Sequence, residues 1–134
     1  MTGPPISGGT GPMSTSEHQK KFRQGVEQFN TRHFFEAHET WEEIWLGSPE
    51  PEKTFLQGII QIAAAFHHYT RGNTRGARTL LEAGLGRLEK FPSTHNQLEL
   101  EALRAAARTW ADTLTRGHDP GPSQVPRIAY APKD

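Results

Sequence analysis

The sequence predicts an all-α protein, a compact bundle of about five helices between two Gly- and Pro-rich ends. Three observations predict it. Apolar residues recur at three- and four-residue spacing through the middle of the chain. Capping residues, glycines and prolines punctuate that region at helix-length intervals. No segment alternates with β-branched residues, so strands are not needed. A chain of 134 residues can bury a core of its own. The reading divides it into a disordered tail over residues 1–14, a helical domain over 15–117 and an extended Pro-rich tail over 118–134. In the last of these, Val125, Ile128 and Tyr130 stand between prolines and can lie across a helical surface.

The first helix is expected over residues 16–30. Ser14, Thr15 or Ser16 can cap it, and Phe22, Val26 and Phe29 make its apolar stripe. The second is expected over 32–46, ended by Gly47, Ser48, Pro49 and Pro51. On it Phe34, Trp41 and Trp45 share a face, with His38 and Glu42 at its edge, while Glu36 and Glu43 point elsewhere. The third is expected over 52–71. Its middle, FLQGIIQIAAAF, is apolar nearly all round and should be the central helix. Gln57, Gln61 and His68 form a narrow polar stripe on it, with His67 turned away. The fourth is expected over 74–91, where Gly76, Ala77, Gly84 and Gly86 weaken the helix but admit a close neighbour. The fifth is expected over 94–116, with Leu103, Ala107, Trp110 and Leu114 as its stripe and Gly117 as its stop. Asn30-Thr31-Arg32 recurs as Asn73-Thr74-Arg75, which suggests two stacked helical hairpins.

Composition narrows the partners. Fifteen basic and fifteen acidic residues balance, so no strong field would gather nucleic acid or an anionic membrane. Cysteine is absent, which excludes disulfides and thiolate metal sites. No apolar run approaches the roughly 20 residues that span a bilayer. The first thirteen residues lack the basic start and apolar stretch of a secretory signal, so a cytoplasmic setting is expected. Arg71, Arg75 and Arg78 read as a solvated face, and His18, His33, His95 and His118 as surface residues.

The residues with chemistry concentrate in FFEAHETWEEIW, Phe34 to Trp45. With the polar stripe of the third helix they make a candidate cluster: Glu36, His38, Glu39, Trp41, Glu42, Trp45, Gln57, Gln61 and His68. His38 and Glu42 are neighbours at i and i+4. His38, Glu39, Glu42 and His68 could ligate a divalent metal or divide acid and base roles. Neither the second histidine of the zincin pattern nor the Glu-x-x-His of carboxylate-bridged di-iron sites is present. Buried indoles need acceptors, and Glu42 or Glu39 could supply them, so the favoured reading is an internal hydrogen-bonded brace. A small-ligand pocket beside the two tryptophans is the remaining alternative.

The blocks FNTRHFFEAHETWEEIW and FLQGIIQIAAAFHHYTRGNTRGARTLLEAG resemble the domain of unknown function family 309, over about residues 22–91. The matching positions are Phe35, Glu36, His38, Glu39, Trp41, Glu42 and Trp45, then Gln57, Gly58, Gln61, His67, His68, Gly72, Asn73, Gly76 and Ala77. The resemblance implies small all-helical bacterial and archaeal proteins, found also in plastid lineages, and assigns no reaction. The function expected is therefore that of a helical structural or interaction module. A metal-binding protein or metal-dependent enzyme, with its site between the second and third helices, is the alternative. A homodimer fits a short bundle with aromatic helices.

Overall fold

Five helices and one short β-hairpin account for the chain in the computed structural model, which describes residues 14–132. The disorder expected of the first residues lies outside that span. Helix α1 is Thr15–Asn30, α2 Phe34–Trp45, α3 Glu52–Thr70, α4 Thr74–Leu88 and α5 Leu100–Thr115. Each packs on its neighbour in sequence, and α3 lies between α2 and α4.

Local chemistry sets the boundaries. Ser14 is the cap of α1: its hydroxyl accepts from the Glu17 N–H while the Glu17 carboxylate accepts from the Ser14 N–H. Helix α2 starts later than residue 32 because Arg32 sits at φ 70°, outside the right-handed helix. Asn73 caps α4, its side-chain oxygen accepting from the Gly76 N–H at 2.9 Å.

The expectation that no strands are needed is corrected between Phe91 and Leu100. Thr94–His95 (β1) and Leu98–Glu99 (β2) pair antiparallel around Asn96 and Gln97, whose φ values of 49° and 66° make a tight two-residue turn. Helix α5 therefore begins at Leu100, not residue 94.

Helix α3 is the centre, as its composition predicts, with Phe55, Leu56, Ile59, Ala63, Ala65 and Phe66 wholly buried. It meets α4 at glycines: a Cβ on Gly84 would stand 2.8 Å from the Gly58 carbonyl oxygen. Gly86 has open space around it and plays no part in this approach.

The two hairpins are related, but not through the shared tripeptide. In the first turn Arg32 N–H bonds to Phe29 O and His33 N–H to Gln28 O; in the second Gly72 N–H bonds to Tyr69 O and Asn73 N–H to His68 O. Arg32 and Gly72 both have positive φ. The offset is 72 − 32 = 40 positions, against 73 − 30 = 43 for the tripeptides. At that structural offset several buried residues pair, Phe22 with Ile62, Val26 with Phe66, Phe29 with Tyr69, Ala37 with Ala77, and Trp41 with Leu81, while buried Phe34 falls on exposed Thr74.

After α5 the chain turns through a single 3₁₀ turn, Pro122–Gln124, and runs back extended over α1 and α5. Val125 and Ile128 are buried against the bundle, while Tyr130 stays 41% exposed. Tyr130 makes an isolated antiparallel bridge to Leu98 of the hairpin.

Candidate functional site

Helix α2 turns Phe34, Ala37, Thr40, Trp41 and Ile44 into the core. Trp41 is wholly enclosed, and its Nε1–H donates to the Phe22 carbonyl oxygen of α1 at 3.1 Å. Gly25 permits this, since a Cβ there would lie 2.1 Å from the indole nitrogen. The acceptor expected from Glu42 or Glu39 is thus replaced by backbone on another helix. Thr40, not singled out from the sequence, is buried and donates to Gln28 Oε1 at 2.7 Å.

Trp45 and His38 do not join Trp41 inside. Both sit half-buried on the flank of α2 that faces α3. The Lys53 ammonium lies 4.4 Å from the Trp45 ring centroid, a cation–π contact. Trp45 Nε1 and His38 Nδ1 are enclosed without a hydrogen-bond partner among the described residues. His38 Nε2 stands 3.4 Å from Glu42 Oε2, so the expected i,i+4 pair forms, at the surface. Glu36 and Glu39 are exposed.

Phe35 lies on the same flank, 45% exposed, with its ring centroid 5.8 Å from that of His38 and 5.2 Å from that of His67. His67 is therefore the histidine that faces α2. Its pKa falls below the usual histidine value, first because it loses water and then because positive charge at His68, Arg71 and His38 would repel its own; Glu36 opposes them weakly. His68 turns instead to the α3–α4 turn, where its Nδ1 meets the Asn73 side-chain amide at 3.1 Å. Gln61 accepts from Arg87 Nε of α4 at 3.1 Å, and Gln57 is half-buried beside it on α3. The cluster is thus divided: Trp41 bonds into the core, His38 and Glu42 pair on the flank of α2, and Gln61 and His68 find partners on α4 and in the α3–α4 turn. Among the described residues no three His, Asp or Glu side chains are placed to hold a metal ion, so His38, Glu39, Glu42 and His68 are not gathered around one point.

Two histidines read as solvated have structural partners. The His95 ring sits between Phe55 and Phe91, at 4.5 and 4.8 Å between centroids, with Nε2 3.3 Å from Glu52 Oε1. His18 Nε2 meets the Ser48 hydroxyl at 3.2 Å. Both contacts join residues distant in sequence, so no local pattern announces them. A cleft of about 200 Å³ opens nearby, lined by residues that include His18, Arg23, Glu52 and Gln97. It lies away from both tryptophans, and Trp41 is too enclosed to line a pocket.

Comparison with known proteins agrees with the resemblance. Residues 22–80 match the family described as domain of unknown function, DUF309. The individual matching positions fall inside that span, but it ends at residue 80, short of the residue 91 expected from the resemblance; the second half of α4, α5 and the extended C-terminal segment lie beyond it. An uncharacterised Bacillus subtilis protein, YpuF, is 44% identical over 57 residues, covering 42% of this chain and 33% of its own. An uncharacterised Aquifex aeolicus protein is 26% identical over 109 residues, covering 81% of this chain and 33% of its own. The chain spans about a third of the length of these relatives. Neither relative nor family carries an assigned reaction.

Proposed function

We propose that this chain is a helical interaction module that pairs with a second copy of itself through the outer seam between α2 and α3. The observation that carries the reading is Phe35, a large aromatic side chain 45% exposed on the seam, with Leu46 72% exposed at the far end of the same helix. Trp41, Gly58 and Ala77, among the positions of the resemblance, are explained by the core. Phe35, Glu36, Glu39 and Glu42 face water, and the fold does not need them there.

Charge favours a second copy as the partner. Glu36, Glu39 and Glu42 line the α2 side, and Lys53 and Arg71 the α3 side. A two-fold axis would set each side against its complement. Relatives of unlike length also favour a module. The aligned stretches of 57 and 109 residues are each a third of their proteins, so those proteins differ about twofold in size. A cytoplasmic setting belongs to the same proposal, since a chain without cysteine gains nothing from an oxidising compartment; recovery in the soluble cytoplasmic fraction of lysed cells would check it, and recovery outside it would contradict it. No helix among the described residues is long and apolar enough to cross a membrane.

Size-exclusion chromatography with light scattering at protein concentrations of about 10–100 μM tests the pairing, since a Kd of about 1 μM or tighter leaves most of the chain paired there. The chain should run at twice 15.0 kDa and Phe35→Asp as a monomer. A wild-type chain that stays monomeric throughout overturns the proposal.

A further inference from the structure

The extended C-terminal segment is held in a way that differs from core packing. Trp110 Nε1 donates to Gln124 O at 2.9 Å, and Arg32 Nη1 to Val125 O at 3.0 Å. The Asn30 side-chain amide pairs with Ile128 as a strand would: Nδ2 donates to Ile128 O at 2.9 Å and Oδ1 accepts from Ile128 N–H at 2.7 Å. The hairpin completes the set, with Glu99 N–H donating to Ala129 O at 2.8 Å and Gln97 O accepting from Ala131 N–H at 2.7 Å. All six bonds read the backbone of the segment.

Apolar burial is confined to two places, although Arg127 Nη1 also donates to Asn30 O at 3.2 Å and the Arg23 guanidinium lies 5.3 Å from the Tyr130 ring centroid. Val125 and Ile128, three positions apart, are 6% and 3% exposed, while Ser123, Gln124, Arg127 and Ala129 face water. Pro126 stands between the two anchors, where its missing N–H is not needed and its fixed φ favours an extended chain. Backbone bonds for affinity and spaced apolar pockets for specificity are the means by which sheet edges and grooves bind extended peptides.

We infer that the groove formed by α1, the α1–α2 turn, β2 and α5 is a peptide-recognition groove, filled here in cis. It takes in trans an extended partner segment with two aliphatic residues three apart around a proline. The tethered segment competes at a millimolar effective concentration, so a partner gains the groove only when the tether is weakened. This inference concerns a face other than the α2–α3 seam and does not rest on the pairing proposed there.

A fluorescein-labelled peptide with the sequence of residues 122–132, added to the full chain, tests it by anisotropy. Ile128→Asp spoils the tethered segment and leaves the groove intact. The labelled peptide should bind this variant about a hundredfold more tightly than the wild-type chain. A peptide with Asp in place of Ile128 should not bind. Equal binding to both chains, or none to a folded Ile128→Asp chain, overturns the inference. Should Ile128→Asp not fold, a second form of the full chain decides. It carries a protease site inserted after Gly117 and is cut there. Exchange of the released segment for excess labelled peptide supports the groove. A cut chain that unfolds, or keeps its segment without exchange, overturns it.

Discussion

Tyr69 and Asp119 show how a single contact ties the C-terminal segment to the central helix. The Tyr69 hydroxyl donates to Asp119 Oδ1 at 2.5 Å, and its ring meets Trp110 edge-on, 4.8 Å between centroids. Burial, then the bond to Asp119 and its charge, push the phenol up to about 12. The hydroxyl, with the Gly121 N–H, holds the Asp119 carboxyl below the usual carboxylate value. A raised phenol stabilises the fold below its unfolded value of 10.0 and loses that contribution as pH rises through about 12. A depressed carboxyl stabilises above its unfolded value of 3.8 and loses that contribution as pH falls further. Absorbance titration at 295 nm should show phenolate forming in two stages in the folded chain, Tyr130 above 10.0 because burial raises it and Tyr69 towards about 12. Asp119→Asn should bring one tyrosine down; an unchanged curve would remove the contact from the account. None of this was legible in the sequence, where Tyr69 and Asp119 lie far apart and neither belongs to a motif. The same holds for Trp41, whose need for an acceptor was readable but whose partner, a backbone carbonyl on α1, has no residue-type signature.

Among the elements, the helices were legible because their apolar stripes recur over several turns, and the hairpin was not. Strands of two residues are too short for alternation to register, and Asn96-Gln97 lacks the glycine that usually marks such a turn. The second helix was read with Trp45 on its buried face because Trp41 and Trp45 are both large and apolar at i,i+4. The packing instead follows Ala37, Trp41 and Ile44, and sends Trp45 to the flank, under Lys53. Glycines in α4 separate two roles that their composition alone merges. Gly84→Ala places a methyl against the Gly58 carbonyl and the Ile62 side chain and should cost about 1–3 kcal/mol through overpacking. Gly86→Ala meets nothing within 4 Å. It should stabilise the helix by about 0.5–1 kcal/mol. Urea denaturation of both variants checks the pair, and equal effects would contradict the close approach of α3 and α4.

For the molecule as a whole, the fold places most of its resemblance-bearing residues in two populations, apart from His68, Gly72, Asn73 and Gly76 at the α3–α4 turn. One fills the contact of α3 with its neighbours; the other lines an outer seam with Phe35, His38, Glu39, Glu42 and His67 on it. The sequence made the cluster visible but not its orientation, because a half-buried stripe and a buried one differ by a rotation of a few tens of degrees about the helix. The cysteine-free chain allows that orientation to be tested directly as a contact. Single substitutions Glu39→Cys, Glu42→Cys and Leu46→Cys on the seam, with Glu82→Cys on exposed α4 as reference, are oxidised at the same protein concentration. At least one seam position should form a covalent dimer about tenfold faster than Glu82→Cys, as an effective-concentration gain requires. Equal rates at all four positions would contradict the pairing of two chains through α2 and α3.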